Sequence, residues 1–325
     1  MVLGEIDGQN ETWGAYRLAD VFRAHGVVGT FFVDVFEHSL WGLEPLREVC
    51  ARLTDMGQDV QLHTHPAWRD DPHDFDWLRE HKRTHSYLSQ DQDFMVKLSQ
   101  DEQVALLQQG IDLLTEWTGK RPVAHRSGGY SINTDTVAAL RQVHLPLDSS
   151  MHWGHPHSHL VWSRNAVVER DDVIELPVTL MDYVFALPGV GVLYRKSMKT
   201  DLDTCSLSEL LAYVRQAKHD GVTVMNLFMH SYSLLEFDSD YRRFVPEVAD
   251  LDKLNGFLAA VGRMEDVQVV DCAEFLRQYQ ADPCRFQGSD VLPEVHVKAK
   301  IARLGLRKAW NIGHETMRRF RRVGN

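Results

Sequence analysis

Apolar positions along the chain fall into short blocks that alternate between two spacings. Residues 27–35 (Val-Val-Gly-Thr-Phe-Phe-Val-Asp-Val) form a β-branched and aromatic run, the pattern of a buried strand. Before it, Trp13, Tyr16, Leu18, Val21 and Phe22 recur at helical spacing, and Gly26 is placed to end that helix. Residues 43–56 predict a second amphipathic helix, stopped by Gly57, and 59–63 predict the next strand. Ser99 followed by Glu102 is a capping box that opens a helix running to about Trp117. Further strands are expected at 2–7, 122–126, 146–148, 173–180, 222–230 and 267–271, with helices at 133–142, 207–219 and 251–263. The stretch 69–98 breaks this rhythm: it is polar, rich in Asp and His, and reads as an excursion of the kind that forms a lid.

Regular alternation of strand and helix predicts an α/β fold with a mainly parallel sheet covered by helices. In such folds the chemistry sits just beyond the C-terminal ends of strands. Asp7, His63 with His65, Arg126, Asp148 and His230 all fall at predicted strand ends. That convergence says more than any single motif.

Extended residues two apart project from the same face, so His63 and His65 in Gln61-Leu62-His63-Thr64-His65-Pro66 can offer two imidazoles to one metal ion. A carboxylate from Asp7 would complete a two-histidine, one-carboxylate set with open positions for water and substrate. The plainer alternative is two solvent-facing strand histidines. His230, directly after Leu227-Phe228-Met229, suits a general acid that protonates a leaving amine, or else a core histidine bonded to backbone. In His125-Arg126-Ser127-Gly128-Gly129-Tyr130 the glycines allow close backbone approach and Arg126 can hold a carboxylate; an ordinary helix-entry turn would look similar. The four histidines of 152–159 belong to no predicted element and read as a polar loop, while Cys272 lacks the adjacent base a nucleophile needs.

These segments, in this order, resemble the polysaccharide deacetylases of the NodB-homology type (carbohydrate esterase family 4), most nearly the WalW-like branch of lipopolysaccharide biosynthesis. Residues 26–33 resemble that family's second strand, and 57–63 the approach to its metal motif. His63-Thr64-His65-Pro66-Ala67-Trp68 resembles the branch's HxHPxW element, where the wider family has HxxxH. Arg126-Ser127-Gly128, residues 145–149 and His230-Ser231-Tyr232 resemble its third, fourth and fifth motifs, so the likeness spans roughly residues 1–280. It implies a distorted, incomplete (β/α) barrel that removes acetyl groups from N-acetylated sugars with the help of a divalent metal, commonly Zn2+. On it, Asp7, His63 and His65 match metal ligands, Arg126 and Asp148 match groups that orient the machinery, and His230 matches the general acid. The first motif departs from the family: Asp7 stands alone where two adjacent carboxylates are usual. Either Glu5 or Glu11 substitutes, or the chain begins inside the domain and an upstream strand is missing.

Two other classes compete. An amidohydrolase-type metal enzyme also uses HxH, but after its first barrel strand, whereas here the pair follows the third predicted strand. A non-catalytic carbohydrate-binding relative would have kept the fold and lost the base, which the lone Asp7 would fit.

Charge and cysteine usage add to this picture. A net charge of −11 argues against nucleic acid as a partner. Residues 298–325 oppose that balance, with nine Lys or Arg against Glu315, interleaved with Ile301, Leu304, Trp310, Met317 and Phe320. The expected organisation is therefore a catalytic domain over 1–282, then a linker and a basic amphipathic helical tail over 283–325. That tail suits either peripheral contact with an anionic membrane or docking on the acidic body. Four scattered cysteines and the absence of a secretory leader predict reduced thiols and a cytoplasmic protein.

Overall fold

The computed structural model describes residues 12–69, 93–187, 189–237 and 244–296. Asp7, most of the 69–98 excursion and the basic tail lie outside the described residues. The strand expected at 2–7 also lies outside them, and from residue 12 the first half follows the anticipated order of elements. Helix α1 (Ala15–Ala24) leads to strand β1 (Thr30–Asp34), α2 (Leu43–Asp55) to β2 (Asp59–Thr64), α3 (Gln100–Thr118) to β3 (Ala124–Ser127), and α4 (Thr134–Gln142) to β4 (Leu147–Asp148). The Ser99–Glu102 capping box is formed in both directions, and Asn133 with Thr136 makes a second one at the start of α4.

Strands β1 to β4 lie side by side in parallel, followed by β6 (Val173–Glu175) and, antiparallel at the edge, β5 (Val168–Arg170). One face of this sheet meets α3, where Leu62, Leu106, Leu107, Ile111 and Leu114 are fully buried. Gly110 makes that approach possible: a Cβ there would come within 2.7 Å of the Leu62 side chain. A second apolar cluster joins α1 to α5 (Leu207–Asp220) and α6 (Val248–Val261) through Leu18, Tyr213, Leu254 and Phe257.

The sequence pattern did not reveal a long antiparallel hairpin, β7 (Leu180–Leu187) with β8 (Gly191–Lys199). A short strand near the end of the described chain, β9 (Glu294–His296), pairs with β7 in parallel. The chain therefore still packs on the body well past residue 283, where a linker was expected. Residues 222–230 and 267–271, expected as strands, are irregular and join no ladder among the described residues beyond one bridge from Phe228 to Asp201. The reason is visible at β1, which pairs with β2 on one side alone among the described residues. Its other edge faces residues 222–229 and 267–270 across a cavity of about 1230 Å3. Among the described residues hydrogen bonding therefore does not close the ring, and the architecture is a distorted, incomplete (β/α) barrel. None of the described helices is long and apolar enough to cross a membrane.

Candidate metal and catalytic site

Register determines which side chains meet. Asp34 of β1 stands opposite His63 of β2, and His63 stands opposite Arg126 of β3, so these three share one row and one face. His65, two residues beyond His63, joins that face; the two imidazole centroids are 4.9 Å apart. One residue earlier the pleat points the other way. His125 and Asp148, opposite each other in the next row, turn toward the helices and are fully buried.

Each imidazole of the pair has one nitrogen committed. His63 Nδ1 lies 2.5 Å from the Arg126 carbonyl oxygen, which can only accept, so Nδ1 carries the proton and Nε2 keeps its lone pair. His65 Nδ1 donates to Asp93 Oδ2 at 2.8 Å, again leaving Nε2. Burial, with His65 beside it, holds His63 well below the usual histidine range. Burial acts the same way on His65, but the Asp93 hydrogen bond and the charges of Asp34, Asp93 and Glu37 override it and raise the ring's pKa. Gly128 makes room for His65, since a Cβ there would lie 2.3 Å from the ring. The glycine of the Arg126-Ser127-Gly128 motif thus has a specific steric reason.

Asp34 was not singled out by its sequence context. Its Oδ1 accepts from the Phe36 amide at 3.0 Å, while Oδ2 is buried without a partner among the described residues. Burial pushes its carboxyl up to about 8, against the lowering pull of His65. Asp93 Oδ1 is likewise buried with no partner among the described residues. An aspartate ending a buried strand beside the strand that carries HxH was the available signal for Asp34. Asp93, inside the polar excursion, offered none.

Arg126 is held by Ser149, through Nε to the carbonyl at 3.0 Å and Nη2 to the hydroxyl at 2.8 Å. Its guanidinium lies over Phe32 and Phe228, at 4.5 and 5.1 Å from the ring centroids. Asp148 does not reach this cleft. Its Oδ1 accepts from His125 Nδ1 at 2.7 Å, and His125 Nε2 accepts from the Thr64 hydroxyl at 2.9 Å. The result is a buried brace under the segment that carries His63 and His65. Burial and the neighbouring Asp148 charge hold Glu175, next in that row, well above the usual carboxylate range.

His230 enters from the opposite wall. Phe228 is pinned by backbone bonds to Thr200 and Leu202, which brings Asp203 to the His230 ring, with Nδ1 3.6 Å from Asp203 Oδ2. Burial opposes ionisation of Asp203, yet the neighbouring His230 ring and Ser233 hold its pKa below the usual value. The ring stacks on Tyr232 at 4.7 Å and meets Phe228 edge-on at 5.1 Å. Asp203 gave no sequence signal because the pairing depends on the Phe228 bridge. The 152–159 segment is more ordered than a plain polar loop. His152 and His155 pack on Tyr130 at 4.7 and 4.9 Å, and Ile132 bonds the backbone of His157 and His159.

His63, His65, Asp34, Arg126, Tyr130 and His230 all line the 1230 Å3 cavity. Among the described residues no three His, Cys, Asp or Glu side chains form a ready metal cage. The donor chemistry nevertheless fits a metal ion. Two imidazoles with Nδ1 already bound to acceptors present Nε2, the usual arrangement for metal-binding histidines. Beside them lies a buried carboxylate oxygen, Asp34 Oδ2, with no partner among the described residues.

No family profile and no curated protein matches the chain. Solved structures do. A protein from Mycobacterium smegmatis, provisionally named as a polysaccharide deacetylase, is 18% identical, with 86% of this chain and 81% of that one covered at a TM-score of 0.52. PuuE allantoinase is 13% identical over 83% of this chain and 73% of its own, at a TM-score of 0.47. A family 4 carbohydrate esterase from Streptomyces lividans, solved with acetate, is 11% identical over 76% and 82%, at 0.39. At 18% identity the likeness to the mycobacterial protein is one of fold: this chain has the architecture of a protein named as a polysaccharide deacetylase.

Proposed function

We infer that the chain is a metal-dependent hydrolase that removes the acetyl group from an N-acetylated sugar. The observation that carries this reading is the His63–His65 pair, each ring fixed through Nδ1 and presenting Nε2 to a cavity that His230 also lines. Imidazole and carboxylate donors suit Zn2+, with His63 and His65 as ligands and the carboxylate drawn from Asp7, as the sequence suggests, or from Asp34. When bound, the ion would polarise the acetyl carbonyl and make water nucleophilic near neutral pH.

The chain's own residues supply the rest. His230 delivers a proton to the departing amine nitrogen, and Asp203 orients its ring from the other side. Arg126 places a fixed positive charge on the same face as His63, where it can hold a carboxylate or the developing oxyanion. Asp148 acts at a distance, through His125 and Thr64, by holding the strand that bears the pair. Tyr130, Phe228 and Tyr232 line the cleft with ring faces, against which the C–H face of a pyranose can pack. A sugar unit of a polysaccharide or lipopolysaccharide under construction is the substrate class this reading favours, and a catalytic unit that runs through β9 with a basic extension over 298–325 the organisation.

A second reading, a carbohydrate-binding protein without catalysis, draws support from the incomplete metal cage among the described residues. Metal content separates the two. His63→Ala should fold and lose most bound zinc; full occupancy in that variant removes His63 as a ligand. Normal occupancy in His65→Ala would assign the second imidazole elsewhere.

A further inference from the structure

The β7–β8 hairpin has no role in the chemistry above, yet its tip is apolar and exposed. Val190, Val192 and Leu193 at its tip are 67%, 53% and 53% exposed. Residues 185–194 include no charged side chain, and 183–200 no carboxylate, in a chain whose net charge is −11. Behind the tip come Arg195, Lys196 and Lys199. Arg195 is tied to Asp182 and Glu294, which fixes the stem, and Lys196 is exposed.

Two details say what such a tip touches. Val192 and Leu193 are adjacent in a strand, so their side chains leave on opposite faces, and both are more than half exposed. A face docked on a protein would have buried one side; a tip that is apolar on both sides suits immersion in a medium that surrounds it. The second detail is where the strand leads. Nine residues of β8 span roughly 30 Å from the tip to Lys199. There the Lys199 Nζ sits 3.8 Å from the Phe228 ring centroid, and Asp203 follows four residues on. The hairpin thus extends outward from the rim of the candidate cleft.

We propose that the tip of the β7–β8 hairpin inserts into the interfacial layer of a lipid bilayer, with Lys196 at the headgroups, and sets the cleft facing the membrane surface. This contact is independent of residues 298–325 and of the hydrolase reading. Under that reading, it would bring a lipid-anchored sugar to His63 and His230.

The test uses the full chain and vesicles of phosphatidylcholine, with or without phosphatidylglycerol at about a third of the lipid. Flotation should show binding, stronger with the anionic lipid, and Val192→Glu/Leu193→Glu should weaken it at least about tenfold. A Leu193→Trp reporter should shift its emission to the blue on binding and be quenched by brominated acyl chains, a readout contact elsewhere would not produce. No binding by the unmodified chain overturns the proposal. So does equal binding by the double variant, or an unshifted emission from the Leu193→Trp reporter, either of which moves the contact elsewhere. A dimer in light scattering that the double variant abolishes would show instead that the tip packs on a second copy. Acetate release enters none of these outcomes, so failure here leaves the hydrolase reading untouched.

Discussion

Replacing Gly128 by alanine tests the geometry of the site at its tightest point. The added methyl would lie 2.3, 2.5 and 2.6 Å from three atoms of the His65 ring, whereas ordinary contact begins near 3.4 Å. Gly128 does not occupy a positive-φ conformation, so the backbone tolerates alanine and the effect is steric. The ring must then move by about 1 Å, an overpacking cost of about 1–3 kcal/mol. That movement would break or stretch the 2.8 Å bond from His65 Nδ1 to Asp93. Loss of such a supporting partner typically lowers metal affinity about 10–100-fold. Calorimetric zinc titration of both proteins, with urea unfolding of each, reads the two effects separately. Wild-type zinc affinity and unchanged unfolding midpoint in Gly128→Ala would refute the placement of His65 against this glycine.

Further outcomes follow from the same structure. His230→Ala should keep bound metal while turnover falls about 10²–10⁴-fold; loss of metal would make His230 a ligand, and unchanged turnover would remove it from the chemistry. Asp203→Asn should lower kcat more than it changes KM and leave zinc affinity intact, because Asp203 touches the His230 ring and neither member of the HxH pair; an effect confined to KM would contradict that role. Leu62→Ala, beneath α3, should cost about 2–5 kcal/mol in urea unfolding, and a loss below about 1 kcal/mol would mean that the α3 contact is loose. Glu175 has a folded pKa well above the usual 4.5, so the folded state holds its proton more tightly and stability falls as pH rises above that value. Glu175→Gln should flatten this part of the slope, and an identical slope in the variant would show that the group is ionised when folded.

The first half of the fold was legible because its signals are local. β-branched runs, Gly57, and the Ser99–Glu102 box each act within a few residues, and α1 to β4 follow them closely. The hairpin was harder to see. β7 is buried along 180–184, but β8 is exposed on both faces, so neither has the alternation of a half-buried strand. Residues 222–230 and 267–271 have strand composition but, apart from the Phe228–Asp201 bridge, no ladder partner among the described residues, and pairing is not encoded by composition. At the site, the i, i+2 rule brought His63 and His65 together, and a strand-end search reached Arg126 and His230. That search did not distinguish faces. Asp148 and Arg126 both end strands, yet the pleat places Asp148 behind the sheet with His125 and Arg126 in the cleft with His63. The same parity rule, applied across β1, would have picked out Asp34. Asp203 depends on a tertiary bridge, which no local pattern records.

The central claim is that the His63–His65 pair holds a metal ion that deacetylation requires. Acetate release from an N-acetylated glucosamine oligomer, measured on chelator-stripped protein before and after zinc is returned, tests it most directly. No release is expected from the stripped protein, with recovery at about one zinc per chain, and no recovery in His63→Ala. Undiminished release from the stripped protein, or full recovery in His63→Ala, would contradict it.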